Sequence, residues 1–229
     1  MKQPWWKSTL SYLKDVHIES VDSEVNPDLY VCYSRGRYQL CVENAIYSFA
    51  DKYDNYWDTF KQLDISKFQD KEILVLGFGL GSIPFMLEKM GVRAHFTGVE
   101  YDEMVTYLFN KYVADDIKSS LELVTADARI FMELNEHKYD LIAMDVFVED
   151  MIPDFFLGEY FMEQLKESLT DDGLLIWNHL YHFEKDRKQA DRFFEKKFKN
   201  VFKNGTYIQT KGNKMMLNKN IVPSFPHLK

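Results

Sequence analysis

The chain has 229 residues, 46% of them hydrophobic and 16% aromatic, which is enough apolar side chain for a sizeable α/β core and too much for a disordered segment. Its 28 basic and 36 acidic side chains leave a formal charge of −8 with no basic arm interleaved with aromatics, so nucleic acid is not the expected partner. No apolar run reaches the length of a membrane span and the first residues lack the apolar core of a secretion signal; no membrane contact is expected, and the cytoplasm is the expected compartment.

In chain order, the first readable elements are β-structured. Residues 29–33 and 38–42 flank a Ser34-Arg35-Gly36-Arg37 turn and predict a hairpin. Residues 45–63 predict a helix carrying Tyr47, Phe49, Tyr53, Tyr56, Trp57 and Phe60, a stripe that reads mainly as packing. Together these make residues 1–66 a small N-terminal hairpin and helix appendage, in which Trp5 and Trp6 are a candidate subunit contact and a homodimer is one expectation. Cys32 and Cys41 have no surrounding cysteine or histidine set, so neither a metal site nor a disulfide scaffold is expected; they read as buried small side chains, and their pairing stays open.

The next four segments carry the chemistry. The apolar run 73–76 ends in Gly77, Gly79 and Gly81 and leads into a helical pattern with Ile83, Met86, Leu87 and Met90 on one face. Glycines permit the tight turn and the close approach of backbone to a ligand. Ser82 stands where the dinucleotide fingerprint has its third glycine, and no Gly-Lys-Ser/Thr follows. A nucleoside joined to an amino acid therefore fits better than a dinucleotide, and the triphosphate-binding loop is excluded. The next strand ends in Glu100, at the interval where a nucleotide-binding sheet offers a carboxylate to both ribose hydroxyls. Asp102 then opens a helix with Val105, Leu108, Phe109 and Tyr112 facing inward, either as its N-cap or as a ligand contact. The strand over residues 121–124 ends in Asp127 and Ala128, an acid able to accept from the exocyclic amine of adenine beside a backbone N–H able to face a ring nitrogen. A fourth strand, 139–144, delivers Asp145 to the same edge.

Downstream, Tyr160, Phe161 and Leu165 mark a helix ending at Thr170-Asp171-Asp172-Gly173, and residues 174–177 read as a buried strand from which Asn178 and His179 emerge. Ala190, Phe193, Phe194 and Phe198 mark the packing face of a further helix, whose lysines at 196, 197, 199 and 203 read as a solvated face. Residues 206–210 and 214–217 close the chain as a hairpin around Gly212 and Asn213.

Over residues 72–178 these motifs resemble the class I S-adenosylmethionine-dependent transferases, and within them the spermidine-synthase-like branch. The resemblance implies an α/β, Rossmann-like class I methyltransferase fold over residues 67–229, with a mostly parallel seven-stranded sheet and an antiparallel end. It also implies that the glycines hold the methionine part of the cofactor, Glu100 the ribose, and Asp127 with the Ala128 backbone the adenine; on the acceptor side it points to Tyr47. Polyamine-making members, however, carry an acid where this chain has Leu80, and an Asp-Ser-Ser-Asp-Pro-like segment where it has Asp145-Val-Phe-Val148-Glu149. Likewise Glu43-Asn44-Ala-Ile-Tyr47-Ser48-Phe49 resembles an Asp-Glu-x-x-Tyr-His-Glu segment whose histidine and last acid are replaced. A polycationic amine needs carboxylates to replace its hydration, and several of these are gone.

The expectation that follows is methyl transfer from S-adenosylmethionine, without a metal, to an unidentified small molecule. Asp145 would orient or deprotonate the acceptor, and Asn178, His179 and Tyr47 would complete its site, with His179 having the more suitable ordinary pKa. Aminopropyl transfer from the decarboxylated cofactor is the close alternative, with Glu149, Asp150 or Asp154 restoring acidity; a binding or scaffolding protein is the third. An open pocket is expected beside Asp145, between the N-terminal hairpin and residues 150–156.

Overall fold

A computed structural model describes residues 3–42, 45–148 and 150–221. The N-terminal hairpin is present but belongs to a larger antiparallel sheet, ordered β1 (Val16–Val21), β2 (Leu29–Ser34), β3 (Arg37–Val42) and β4 (Ala45–Ser48). Its tight turn places Arg35 and Gly36 at φ 50° and 75°, the left-handed pair whose twist matches that of the flanking strands. After a short helix α1 (Trp5–Leu10), strand β1 escaped the sequence reading because its apolar residues are only half-buried and alternate with His17 and Glu19.

The single helix expected over residues 45–63 is corrected. Its first residues form β4 on the edge of β3, a 3-10 turn spans Ala50–Lys52, and only α2 (Asp54–Phe60) is α-helical. Ala50 sits at φ 45°, a conformation no α-helix of L-residues can pass through cheaply. The aromatic stripe is thereby divided. Tyr56 and Phe60 go to the core, and the Tyr56 hydroxyl lies between the carbonyl oxygens of Met144 (3.0 Å) and Ile176 (3.3 Å) as their donor. Tyr56→Phe is expected to cost about 1 kcal/mol and to lower Tm by about 2–4 °C; an unchanged melt would show that the hydroxyl does not tie α2 to the sheet.

The second sheet has the order β10-β11-β9-β8-β5-β6-β7. Its parallel part is β5 (Glu72–Leu76), β6 (His95–Glu100), β7 (Ser120–Thr125), β8 (Tyr139–Met144) and β9 (Leu169–Leu180), and β10 (Thr206–Gln209) with β11 (Asn213–Leu217) forms the antiparallel end. Strands covered on both faces read as continuous apolar runs. In β5, Ile73 and Val75 enter one cluster with Tyr56, Met86 and Phe109, while Leu74 and Leu76 enter the other with Phe161, Trp177 and Phe198. Helices α3 (Ser82–Lys89) and α4 (Glu103–Tyr112) cover the first face, with α2; α5 (Ala128–Leu134), α6 (Glu159–Glu167) and α7 (Glu184–Phe193) cover the second. Residues 170–173 do not end a helix but form a bulge inside β9, where pairing jumps from Tyr139↔Leu169 to Leu141↔Leu174.

Strand β5 has β6 on one side and β8 on the other, so the loops leaving β5 and β8 diverge and open a crevice at the carboxyl edge. Cys32 and Cys41 are buried free thiols. Among the described residues no helix is long and apolar enough to cross a membrane.

Candidate active site

A cavity of about 650 Å³ runs along the carboxyl edges of β7, β6, β5, β8 and β9 and reaches the first residue of β11. Its two halves meet at Gly77. That residue has φ 81°, and a Cβ there would lie 2.3 Å from the Asp145 carbonyl oxygen, so only glycine lets the loops after β5 and β8 pass each other. The Gly77 and Phe78 N–H groups both donate to the Val99 carbonyl (3.0 and 3.1 Å), which pins the glycine loop to β6.

The first half holds Gly79, Glu100, Asp127 and Ala128. Glu100 accepts from the N–H of Gly79 at 2.9 Å and of Asp102 at 3.1 Å, so each carboxylate oxygen has a fixed donor and keeps further acceptor capacity. Burial raises its pKa above the ordinary value, with those backbone donors opposing. Asp127 accepts from the Arg129 N–H (2.7 Å) as the cap of α5 and still lines the cavity; Ala128 is the first residue of that helix, where the N–H has no intrahelical partner. Asp102 is taken up by structure. It caps α4 through Met104 and accepts from Ser23 (2.5 Å) and Asn26 (2.7 Å), drawing the loop after β1 to the cavity, where Val25 and Asn26 join the wall.

Gly81, expected beside the ligand with the other glycines, is off the wall. The space over its Cα is filled by the rings of Phe78 and Phe109, each 3.1 Å from where a Cβ would stand, and it serves as the turn into α3.

The second half is organised around Asp145. Its carboxylate accepts from Asn178 Nδ2 at 2.8 Å and from the Tyr53 hydroxyl. Burial pushes its pKa up to about 6, with the Asn178 and Tyr53 donors holding it from rising further. Tyr53 is itself held well above its ordinary value, by burial and then by the negative charge of Asp145, so it is a donor throughout the working range. Asn178 Oδ1 in turn accepts from Asn213 Nδ2 at 2.8 Å. Tyr47, Asp54, Asp150 and Lys211 also line this half.

His179 is corrected. Successive residues of a strand face opposite sides, so Asn178 enters the cavity and its neighbour cannot. The His179 ring is buried and stacked on Phe193 at 4.9 Å, and burial, aided by the Lys214 charge, lowers its pKa to about 3. It remains neutral and carries no proton for the site.

The positions that depart from the polyamine-making pattern have separate fates. Leu80 and Phe49 are buried away from the cavity, and Ser48 is a staple, 2.7 Å from the Ser82 hydroxyl and accepting from the Leu80 N–H at 3.1 Å. Val148 is on the wall and 54% exposed. Glu43, Asn44 and Glu149 lie outside the described residues. Of the acids named as replacements, Asp150 lines the cavity and Asp154 does not. The sequence reading misses Tyr53, which looks like one more member of a packing stripe until the left-handed Ala50 and the start of α2 turn it to the cavity, and Asn213, which looks like a turn residue until β11 pairs with β9.

A spermine/spermidine synthase domain matches residues 63–218. The polyamine aminopropyltransferase of Vibrio vulnificus (strain CMCP6) is 30% identical over 111 residues, 47% of this chain and 37% of that protein. The probable polyamine aminopropyl transferase of Bifidobacterium longum (strain NCC 2705) is 27% identical over 123 residues, 54% of this chain and 27% of that one. The chain's matches thus span well under half the length of these curated relatives. A solved structure of a probable spermidine synthase from Corynebacterium glutamicum ATCC 13032 aligns with a TM-score of 0.71 at 17% identity, over 87% of this chain and 79% of that one, a likeness of fold.

Proposed function

The chain belongs to the spermine/spermidine synthase family, and from that membership we propose that it transfers an aminopropyl group from decarboxylated S-adenosylmethionine to an amine. This replaces the methyl transfer favoured by the motifs alone. Both curated relatives carry aminopropyltransferase names, and the fold by itself serves either reaction.

The observation that carries the reading is Asp145, a part-buried carboxylate with a pKa of about 6 at the junction of the two halves of the cavity. An amine near neutrality is an ammonium ion and has no lone pair to attack with. A carboxylate poised near the working pH is suited to take its proton. The residues of the first half fit the donor. Glu100 has acceptor capacity left for the ribose hydroxyls, and Asp127 with Ala128 offers an acceptor and an N–H for adenine.

The bound donor supplies a methylene carbon activated by an attached sulfonium. Asp145 removes a proton from the acceptor ammonium, and the freed nitrogen lone pair forms the C–N bond while the C–S pair remains on sulfur as a neutral thioether. Tyr53 and Asn178 hold the carboxylate in place and stabilise it before it takes the proton. Much of the remaining rate enhancement comes from alignment of nitrogen, carbon and sulfur.

Of the four departures that favour a binding-only protein, Leu80, Ser48 and Phe49 lie off the cavity and Val148 lines it, while Phe147 and Phe155 line an open volume of about 650 Å³ without filling it, which weighs against that alternative. Mass spectrometry with both cofactor forms and a mixed amine pool tests the proposal. A product heavier by one aminopropyl unit is expected; a methylated product overturns it. The rate is expected to fall as pH drops through about 6, because protonated Asp145 cannot accept a proton. A kcat/KM profile that stays flat from about pH 7 to 5 would remove Asp145 from the proton-transfer role.

A further inference from the structure

We propose that Asn213 is a positioning residue for Asp145: its side-chain N–H holds the carbonyl oxygen of Asn178, which obliges Asn178 to present its own N–H to the Asp145 carboxylate. The inference rests on Asp145 being the base. Both amide contacts measure 2.8 Å, and all three residues line the cavity.

An asparagine side chain has a donor end and an acceptor end, and rotating it by half a turn exchanges them. With its N–H toward Asp145, Asn178 stabilises the carboxylate. With its oxygen there, it pairs only with the protonated acid. The choice is therefore coupled to the group on the far side of Asn178. Asn213 is well placed to make it, since its backbone is fixed at the start of β11 by the Thr210 N–H on its carbonyl (3.0 Å) and by the Tyr181 N–H on the Gly212 carbonyl (2.7 Å). Among the described residues, the other titratable or charged groups around Asp145 are Tyr47 from β4, Tyr53 and Tyr56 from the α2 side, Asp54 at the start of α2, Glu100 across the glycine loop, Asp150 after β8, and Lys211 in the β10–β11 turn. Tyr53 is also hydrogen-bonded to the Asn178 side chain, in the sense that opposes the rise of the phenol's pKa, so it takes the Asn178 N–H and leaves the Asn178 side-chain oxygen to Asn213.

Asn213→Asp keeps the shape and removes the donor. An ionised aspartate only accepts, so it draws the Asn178 N–H to itself and turns the Asn178 oxygen toward Asp145. The test is a carbon-13 NMR titration of the ligand-free full chain, labelled at aspartate side-chain carboxyls, with the Asp145 signal assigned by its loss in Asp145→Asn. Its midpoint is expected to rise by about one pH unit or more in Asn213→Asp and by less in Asn213→Ala. Most of the rise should vanish when Asn213→Asp is made in an Asn178→Ala background. An unchanged midpoint overturns the proposal, as does an equal rise with and without Asn178, which would be a plain charge effect. Should Asn213→Asp not fold, Asn213→Ala carries the test, and an unmoved midpoint there overturns it. In the active enzyme the acid limb of the rate profile moves with the NMR midpoint. Absence of turnover with every amine would sink the transferase reading while leaving the NMR result standing, whereas an unmoved midpoint in an active enzyme would sink the positioning role alone.

Discussion

Asp145→Asn is expected to lower turnover by about 10²- to 10⁴-fold while donor affinity stays close to that of the unaltered chain. The substitution keeps the shape of the side chain and removes its ability to take a proton. It should not destabilise the protein, and the sign follows from linkage. The folded pKa of about 6 lies above the ordinary 3.8 because of burial, so between those values the folded state binds more protons than the unfolded one. Stability therefore falls as pH rises through that window, and above it the ionised carboxylate is a standing cost. Asparagine carries no charge and removes that cost. Thermal melts at about pH 8 should place Asp145→Asn at or above the unaltered chain, with the gap closing toward about pH 4. Loss of activity together with a large drop in Tm would instead make Asp145 a residue of the fold, and undiminished turnover would require another base.

Glu100→Ala should abolish useful donor binding, by roughly 100-fold or more. Two backbone donors, on Gly79 and Asp102, converge on its carboxylate, and a hydrogen bond to a charged group is worth about 1.5–3 kcal/mol. Removing the side chain both deletes the proposed ribose acceptor and frees the N–H that holds Gly79 in line. Glu100→Gln should also bind poorly, because its amide nitrogen turns a donor toward one of those two N–H groups. Asp127→Ala is expected to lose less, since Asp127 contributes a single proposed contact to the base and its helix cap can be replaced by water. Isothermal titration with decarboxylated S-adenosylmethionine and with the thioether product measures the series. Wild-type affinity in Glu100→Ala, in a protein with a normal melt, would remove Glu100 from the donor site.

The sequence by itself determined the parallel half of the sheet and the carboxyl edge of the cavity. Residues 73–76 are an uninterrupted apolar run, as a strand covered on both faces requires, and 96–99, 121–124 and 139–144 are short stretches of apolar residues interrupted by Thr97, Gly98, Glu122 and Asp140; each announces its own end, and whatever follows it lies at the edge. Gly77, Gly79, Glu100, Asp127 and Asp145 were legible for that reason, and all line the cavity. The inward face of α4 was legible too, because Val105, Leu108, Phe109 and Tyr112 repeat at the helical period and all are buried.

Only the tertiary structure decided which of two neighbours faces the cavity. Asn178 and His179 are equally near the end of β9, but the side-chain period of a strand is two, and the parity is set by pairing with β8 and β11 rather than by either residue. The same holds for Gly81, displaced from the wall by two aromatic rings, and for the helix expected from residue 45, broken by the left-handed Ala50. Tyr53, Asp145, Asn178 and Asn213 meet although the last two contacts span 33 and 35 residues of chain. Such a network leaves no local pattern, because each amide or hydroxyl is chosen by the partner the folded sheet brings to it, not by its neighbours in sequence.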